Sequence, residues 1–464
     1  MIVPRSRLLF WFAAVVLPFA LLAAIEPEVV LVSGGFIIAF ILIVVIDALS
    51  ARRSLAGISV ELPPVARLSK DREGKLDVRI HNAPKRNRVV RIALGLPPQI
   101  PAVIEELDAV LPAQSEWSRL TWTCRPIERG NFRLKKVYVE GSSPLGFWAI
   151  RKTLPVQCEL RVYPNLLTER KNLAALFLNR GTFGLHAQRQ VGKGRDFEKL
   201  RDYVAGDGFD EIHWKATARR GKPVTKVFQI ERTQEVYVVV DASRLSARKS
   251  VVRCPLSVAE EAYALPPTTG NGLLTTDSVL ERFVTAALVL GLAAEQQGDL
   301  FGLLTFTNKV ETFVRARNGK AHYSACRDAL YTLQPQTVTP DFDELCTFLR
   351  LRLRRRALII FLTSLDDPAL AESFVRNIDL IRRQHLVLVN MIQPPGTAPL
   401  FTDPNVTSAD DLYRQLGGHL QWSRLRQLEK TLQRRGVRFS LLQNERLSAD
   451  LVSQYLNVKQ RQIL

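Results

Sequence analysis

The chain has 464 residues, which is too long for one hydrophobic core and predicts about two or three domains. Lysine and arginine number 64 and aspartate and glutamate 45, so the formal net charge is +19. This charge favours anionic partners, such as phospholipid or nucleic acid, and does not choose between them. The five cysteines are widely spaced and include no C-x-x-C pair, which favours reduced thiols in a cytosolic setting over a disulfide framework.

Two uncharged apolar runs lie near the N-terminus, from Leu8 to Ile25 and from Val29 to Ile46. Each is long enough to cross a hydrocarbon core as a helix. The short turn between them is acidic, whereas arginines precede the first run and follow the second. We therefore predict a transmembrane hairpin over residues 1–56, in the cell inner membrane, with both ends and the bulk of the chain in the cytoplasm. A cleaved secretory signal is the alternative for the first run, and the second helix would still exit toward the cytoplasm.

Residues 57–165 change to a period of two, in which Leu76, Val78 and Ile80 alternate with polar residues. Further strands separated by Pro, Gly, Asn and Ser turns are predicted at Val89–Leu96, Arg119–Cys124, Phe132–Glu140, Phe147–Thr153 and Glu159–Tyr163. Short strands at this spacing predict an all-β, immunoglobulin-like sandwich. Its three tryptophans are interpreted as core or rim packing.

Residues 235–464 alternate between strand and helix. A helix is predicted over Val279–Gln297, and the apolar strands are Glu235–Asp241, Leu300–Phe306, Ala357–Thr363 and Leu386–Met391. Such strands with helices between them indicate βαβ units, hence a doubly wound α/β domain whose mostly parallel sheet is covered on both faces. Ligands of these folds bind at the carboxyl ends of the strands, where Asp241, Thr363 and Ser364 lie.

Two further stretches of this domain stand out by composition. Residues 247–277 are rich in Ser, Pro, Thr and Gly and predict a disordered loop, with a functional lid as the alternative. Five arginines between Arg350 and Arg356 predict the end of a helix, since the C-terminal dipole favours cations. A lipid-facing role is the alternative for these arginines.

Residues 166–234 form a charged connecting segment whose centre, 191–219, alternates acids and bases with glycines and one tryptophan. The main interpretation is a half-buried ion-pair network that fixes two domains in one orientation, and the alternative is a partner-docking surface. Gly192-Lys193-Gly194 lacks the remainder of a phosphate-loop pattern. The candidate residues for the joint or docking role are Arg195, Arg201, Asp207, Trp214, Lys215 and Arg219.

Together with Arg129-Gly130, Ser143-Pro144-Leu145-Gly146 and Tyr163-Pro164, this segment resembles the bacterial domain-of-unknown-function family number fifty-eight. The resemblance extends from about Gly57 to the C-terminal region, and Asp196 departs from the family's usual Glu. It implies an N-terminal hairpin, a sandwich and a von Willebrand factor A-like domain. It also implies MoxR-type AAA+ ATPases as partners in the assembly or maturation of protein complexes.

The resemblance raises a metal question, because von Willebrand A domains often hold Mg²⁺ with an Asp-x-Ser-x-Ser loop, a Thr and a further Asp. Asp241 and Ser243 would be the first two metal ligands here. Leu245 replaces the second serine, and Ser364 stands where the further Asp is expected. The remaining hydroxyl would come from Thr337 or Thr339. We therefore expect weak or absent metal binding, with Asp241 and Ser243 bonding the local backbone as turn residues do.

Sequences typical of enzymes, namely H-E-x-x-H, G-x-S-x-G and Walker A, do not occur, so we expect no enzymatic activity. The predicted function is a membrane-anchored interaction scaffold or adaptor, bound to the lipid bilayer, to an AAA+ ATPase and to other membrane or envelope proteins. The alternatives are a divalent-metal-dependent enzyme that uses the Asp241 loop and a basic nucleic-acid-binding protein. We expect no nucleic-acid partner, because each Lys or Arg near anionic lipid gains about 1 kcal/mol and explains a basic surface by itself.

Overall fold

A computed structural model describes residues 1–25, 27–51, 54–85, 87–167, 169, 170, 173, 174, 191–204, 208–229, 234–253, 274–400, 402 and 408–461. The chain divides into two compact units, Met1–Asn165 and Leu166–Leu464. Two apolar helices and a β-sheet region form the first unit, and an α/β region forms the second. This confirms the predicted order of helical hairpin, β region and α/β region. The predicted division into four segments, with boundaries after residues 56, 165 and 234, stays a prediction.

The N-terminal helices are α1 (Ser6–Ile25) and α2 (Val30–Ala51), joined through a 3₁₀ turn at Pro27–Val29. Both are long and apolar enough to cross a membrane. Pro18 lies inside α1 without ending it, and none of the side chains of α1 is buried. The rings of Phe19 and Phe36 stack with centroids 4.8 Å apart, so the two helices pack against each other.

The described part of the first unit contains nine strands: β1 (Ile2–Pro4), β2 (Ile58–Glu61), β3 (Val65–Ser69), β4 (Gly74–Asn82), β5 (Arg88–Leu94), β6 (Leu107–Leu111), β7 (Trp117–Cys124), β8 (Gly130–Ser142) and β9 (Trp148–Tyr163). One sheet has the order β1-β9-β8-β5-β6, with β3 also paired to β9, and the other has the order β2-β4-β7. Alternate residues of β4, such as Val78 and Ile80, and Ile92 of β5 enter one shared hydrophobic core. Trp122 is 1% exposed in that core, as a packing role predicts.

The strand β9 corrects the sequence prediction, which divided it into Phe147–Thr153 and Glu159–Tyr163 around Pro155. β1 pairs with the start of β9 and β3 with its end. Pro155 lies between these two pairings, opposite an irregularity in β8, so its missing N–H interrupts neither of them. One continuous strand therefore tolerates the proline.

Within its described residues, the second unit has ten strands: β10 (Val191–Asp202), β11 (Val224–Gln229), β12 (Glu235–Asp241), β13 (Lys249–Arg253), β14 (Leu274–Ser278), β15 (Leu300–Phe306), β16 (Val310–Arg317), β17 (Leu358–Leu362), β18 (Leu386–Ile392) and β19 (Arg438–Leu442). The helices described in this unit are α3 (Trp214–Arg220), α4 (Val279–Gln296), α5 (Lys320–Leu330), α6 (Phe342–Arg352), α7 (Pro368–Asn377), α8 (Ala409–Arg434) and α9 (Leu447–Gln460). The central sheet has the order β16-β15-β12-β17-β18-β19. All its pairings are parallel except that of β15 with the edge strand β16.

Helices cover both faces of this sheet, as predicted. Along β12, Val238 faces a core that includes Phe283 of α4 and Leu451 of α9. The next residue, Val239, faces a second core that includes Phe342 of α6 and residues of α7 and α8. Because successive side chains of a strand point to opposite faces, an uninterrupted apolar strand is the sequence pattern of a sheet buried on both sides.

One local prediction needs correction, and another is confirmed in part. The stretch 247–277, expected to be disordered, contains the antiparallel pair β13 and β14, whose β-branched residues favour strands, while residues 254–273 lie outside the described part. The arginine run was expected to close a helix. Arg350 and Arg352 do lie in the last turn of α6, whereas the arginines at 354–356 follow its C-cap residue, Leu353.

Candidate functional site

The carboxyl edge of the central sheet brings Asp241 and Thr363 together. Asp241 is the last residue of β12 and Thr363 follows β17, and these two strands are parallel neighbours. The Thr363 hydroxyl donates to Asp241 Oδ2 at 2.6 Å, and the backbone N–H of Ser243 donates to Asp241 Oδ1 at 2.8 Å. Both oxygens of a fully buried carboxylate therefore accept hydrogen bonds from the chain itself.

The loop after Asp241 is a closed turn. Ser243 is buried, its hydroxyl accepts the backbone N–H of Leu245 at 3.4 Å, and its carbonyl accepts the hydroxyl of Ser246 at 2.9 Å. The N–H of Arg244 donates to the carbonyl of Val338 at 3.0 Å, which ties this loop to the loop before α6. The predicted turn-type bonding of Asp241 and Ser243 is thus present.

Burial raises the pKa of Asp241, because removal from water disfavours the charged carboxylate, while the hydrogen bonds from Ser243 and Thr363 act in the opposite direction.

The acids of the loop after β17 are paired with arginines. Asp366 forms an ion pair with Arg248, and Asp367 lies 3.9 Å from a guanidinium nitrogen of Arg244.

The residues of this edge do not fit the Mg²⁺ site that the resemblance raised. The side chain of Leu245 is 3% exposed and contains no oxygen, and Ser364 supplies a hydroxyl where a carboxylate was expected. Thr337 and Thr339 are exposed, and the hydroxyl that meets Asp241 comes from Thr363 instead. Among the described residues there is also no group of three or more His, Cys, Asp or Glu side chains suited to a metal.

The described candidate side chains of the charged segment, residues 166–234, are less buried than Asp241. β10 and β11 pair antiparallel, and half-buried Arg201 lies opposite Thr225. Arg195 lies on β10 as well, but its side chain is outside the described part, as is the whole of Asp207. Trp214, the first residue of α3, is 69% exposed.

Local contacts explain why the side chains of α3 point outward. His213 Nδ1 accepts the N–H of Ala216 at 3.0 Å and begins the helix, and Gly221, with φ +67°, ends it. The hydroxyl of Thr217 accepts the N–H of Val224 at 3.0 Å, so this face of the helix is held against β11. Trp214 and the basic residues of α3 are left on the outside.

The exposed side chains of Phe209, Trp214, Lys215 and Arg219 are named the Trp214 surface below. Phe209, in a 3₁₀ turn, is 77% exposed, and Lys215 and Arg219 are both exposed. Lys215 and Arg219 are four residues apart, so two like charges share one helix face and cannot pair with each other. These exposures fit the docking alternative, and the choice between a docking surface and a buried ion-pair network stays a prediction.

Sequence reasoning missed two residues. Phe209 was not selected, although it precedes Trp214 by five positions in the same charged stretch. Asp47, at the end of α2, is 2% exposed and accepts hydrogen bonds from Ser143 Oγ at 2.6 Å and from the N–H of Leu145 at 3.0 Å. The Ser143–Gly146 motif therefore binds the end of the second apolar helix.

Residues 199–264 and 274–402 match a family model described as "Protein of unknown function DUF58". No curated protein matches the chain.

Similar solved structures include BatB, a conserved hypothetical protein from Bacteroides thetaiotaomicron, at 14% identity, with 49% of this chain and 99% of that chain covered and a TM-score of 0.29. Another is proximal thread matrix protein 1 from the mussel byssus, at 12% identity, 48% and 45% coverage and a TM-score of 0.25. A third is an aerotolerance-related membrane protein from Bacteroides fragilis NCTC 9343, at 11% identity, 48% and 98% coverage and a TM-score of 0.27. With scores this low, we draw nothing about fold or function from these similarities.

Proposed function

Because residues 199–264 and 274–402 match the DUF58 family model, we propose that this chain is a membrane-anchored scaffold that docks a protein partner through the Trp214 surface. The observation that carries the proposal is the 69% exposure of Trp214, which lies within the family-matched residues. The partner we propose is a MoxR-type AAA+ ATPase, which the family resemblance implies. The complex would serve in the assembly or maturation of other proteins.

The chemistry of the Trp214 surface suits a protein interface. Phe209 and Trp214 expose large apolar side chains to water, and aromatic residues and arginine are enriched where binding energy concentrates. Lys215 and Arg219 add two positive charges. A partner that complements this surface needs an apolar pocket for an aromatic ring with acidic side chains beside it.

The first unit supplies the anchor. The strand before α1 pairs with β9, and α2 leads into β2, so both ends of the hairpin lie on the side of the β-sheets. The arginines that flank both ends support a cytoplasmic position for that side, in the inner membrane. We assign an immunoglobulin-like sandwich to the two sheets as the finer description of this unit, because they share one core.

We assign a von Willebrand A-like fold to the second unit, on the strength of its parallel sheet with Asp241 at the carboxyl edge. In this proposal the edge holds no resident metal and the protein is not an enzyme. Asp241 instead fixes the loops that follow β12 and β17, since its two oxygens bond one residue from each.

The test is affinity purification of the full chain from native membranes, comparing the wild type with Trp214→Ala. Trp117→Ala is the matched control, because Trp117 is 47% exposed but lies on β7 of the first unit. We expect an AAA+ ATPase to be recovered with the wild type and the control, and about thirtyfold less with Trp214→Ala, which corresponds to about 2 kcal/mol for a hot-spot residue. Equal recovery by all three chains, or recovery of no AAA+ ATPase, would refute the proposal.

A further inference from the structure

An apolar groove runs between α1 and α2 at the end of the hairpin nearest the β-sheets. Its volume is about 350 Å³. Leu8 and Phe12 of α1 line one side, Phe40 and Val44 of α2 line the other, and Trp148 of β9 forms a wall. Every side chain that lines the groove is apolar or aromatic, so it offers no site to a polar molecule.

Hydrogen bonds fix the Trp148 wall in place. The indole N–H donates to the carbonyl of Val44 at 3.0 Å, and the backbone N–H of Trp148 donates to Ser143 Oγ at 3.0 Å. Ser143 Oγ in turn donates to Asp47 at the end of α2. Because the only polar atom of the indole ring is already bonded, the ring presents an apolar surface to the groove. The groove is therefore built by the β-sheet as well as by the helices.

A cation directly precedes the first residue that lines the groove. Arg7 directly precedes Leu8, and its guanidinium packs over the backbone of Gly146, where an added Cβ would be only 3.2 Å away. Arg5 has its charge matched by Glu140 at 3.4 Å. Arg7 is exposed and forms no ion pair with any residue that the structure describes.

We propose that this groove binds one glycerophospholipid with an anionic headgroup, with an acyl chain along the apolar walls and the phosphate at Arg7. The inference rests on the proposed membrane anchoring, because the medium around two membrane-spanning helices is acyl chain. The apolar lining selects the chain, and the unpaired cation that precedes Leu8 selects an anion. A lipid bound here would lie against both the hairpin and the Trp148 wall.

The test uses the full chain in nanodiscs of equal phosphatidylglycerol and phosphatidylcholine, with retained lipid counted by native mass spectrometry. We expect the wild type to retain phosphatidylglycerol. Arg7→Gln should lower the ratio of phosphatidylglycerol to phosphatidylcholine about fivefold, which corresponds to about 1 kcal/mol for one charge near the surface. Arg72→Gln, at an exposed arginine away from the hairpin, should leave the ratio unchanged.

Val44→Phe should fill the groove and remove both lipids. Its matched control is Leu31→Phe, at a position that is 90% exposed at the other end of α2. Helical content measured by circular dichroism shows whether each variant is folded, and a folded Arg7→Gln keeps the proposal testable if Val44→Phe fails to fold. Retention of lipid by a folded Val44→Phe, or an unchanged lipid ratio in Arg7→Gln, overturns the proposal.

A second copy of the chain is the competing occupant. The lipid assignment would be overturned if the same spectra showed a wild-type dimer without retained lipid and Val44→Phe dissociated that dimer. The groove would then be an interface between helices of two copies. If the lipid test fails while the chain stays in the membrane fraction and recovers its ATPase, only the lipid site is lost. If the chain is absent from the membrane fraction, the proposed anchoring fails as well.

Discussion

Two regions of the second unit were selected from the sequence for their polar residues, and they differ in where those residues point. Asp241 is fully buried, with both carboxylate oxygens bonded to neighbouring loops. Trp214 is 69% exposed and stands beside two exposed cations. Polar groups bonded within the fold serve its structure, whereas exposed aromatic and charged groups remain available to a partner. The same residue types can therefore serve the structure or bind a partner, and the burial of their side chains decides between these two roles.

The largest expected effect is on stability at Asp241. Asp241→Ala should lower the free energy of unfolding by about 3 kcal/mol, because each buried donor left without an acceptor costs about 1–3 kcal/mol. The Thr363 hydroxyl and the Ser243 N–H would be those donors. Denaturant unfolding of the full chain in detergent measures this change.

Glu372→Ala is the control for that measurement, since Glu372 and its partner Arg376 are 77% and 74% exposed. It should change the free energy of unfolding by less than about 0.5 kcal/mol. Mg²⁺ should leave the unfolding of the wild type unchanged. Saturable micromolar Mg²⁺ binding that is lost in a stable Asp241→Ala variant would show that Asp241 is a metal ligand rather than a structural residue.

Trp214→Ala should give the opposite pattern. The truncated side chain is mostly in water already, so we expect the free energy of unfolding to stay within about 0.5 kcal/mol of the wild type. Binding to the purified ATPase should weaken by about 2 kcal/mol or more, the size typical of a hot spot. Isothermal titration calorimetry and denaturant unfolding separate the two effects. A loss of stability of about 3 kcal/mol would instead support the buried joint.

A smaller effect is expected from the two cations of the Trp214 surface. Lys215→Gln combined with Arg219→Gln should weaken ATPase binding by about 1 kcal/mol at low salt, as for charges at the rim of an interface. The double variant should also show a reduced dependence of the association rate on salt. Unchanged salt dependence would mean that the partner does not use these charges. Arg414→Gln, at an exposed arginine of α8, is the control.

A further prediction concerns the pH dependence of Asp241. Burial raises the pKa of Asp241 in the folded chain above its ordinary value of 3.8. The carboxyl group therefore favours folding most below pH 3.8, and this contribution is lost as pH rises through the folded-state pKa. The difference in unfolding free energy between the wild type and Asp241→Asn should accordingly fall as pH rises. A difference that grows with pH would contradict the raised pKa.

Elements with strong local patterns were predictable from the sequence. The predicted strands Glu235–Asp241 and Leu300–Phe306 agree with β12 and β15, and the helix over Val279–Gln297 agrees with α4 to one residue. An apolar run of this length between turn residues is compatible with few other secondary structures. The edge strand β16 and the last strand, β19, are more mixed in composition and were not predicted.

Contacts between distant parts of the chain were not predictable. Asp47 directly follows the second apolar run and was not selected from the sequence, and its partner Ser143 lies 96 residues away. Likewise, the charged residues around Trp214 have the same sequence pattern whether their side chains face a neighbouring domain or solvent. What packs over a segment is a property of the folded chain, so the sequence could name these residues without choosing between their roles.

The most direct test of the docking proposal is site-specific photo-crosslinking in native membranes. A photoreactive amino acid replaces Trp214 in one full-length chain and Trp117 in another, and mass spectrometry identifies the crosslinked products. We predict that position 214 yields an adduct with an AAA+ ATPase and that position 117, which is also exposed, does not. An adduct of position 214 with this chain alone, or an ATPase adduct from position 117 and none from position 214, would contradict the docking role of the Trp214 surface.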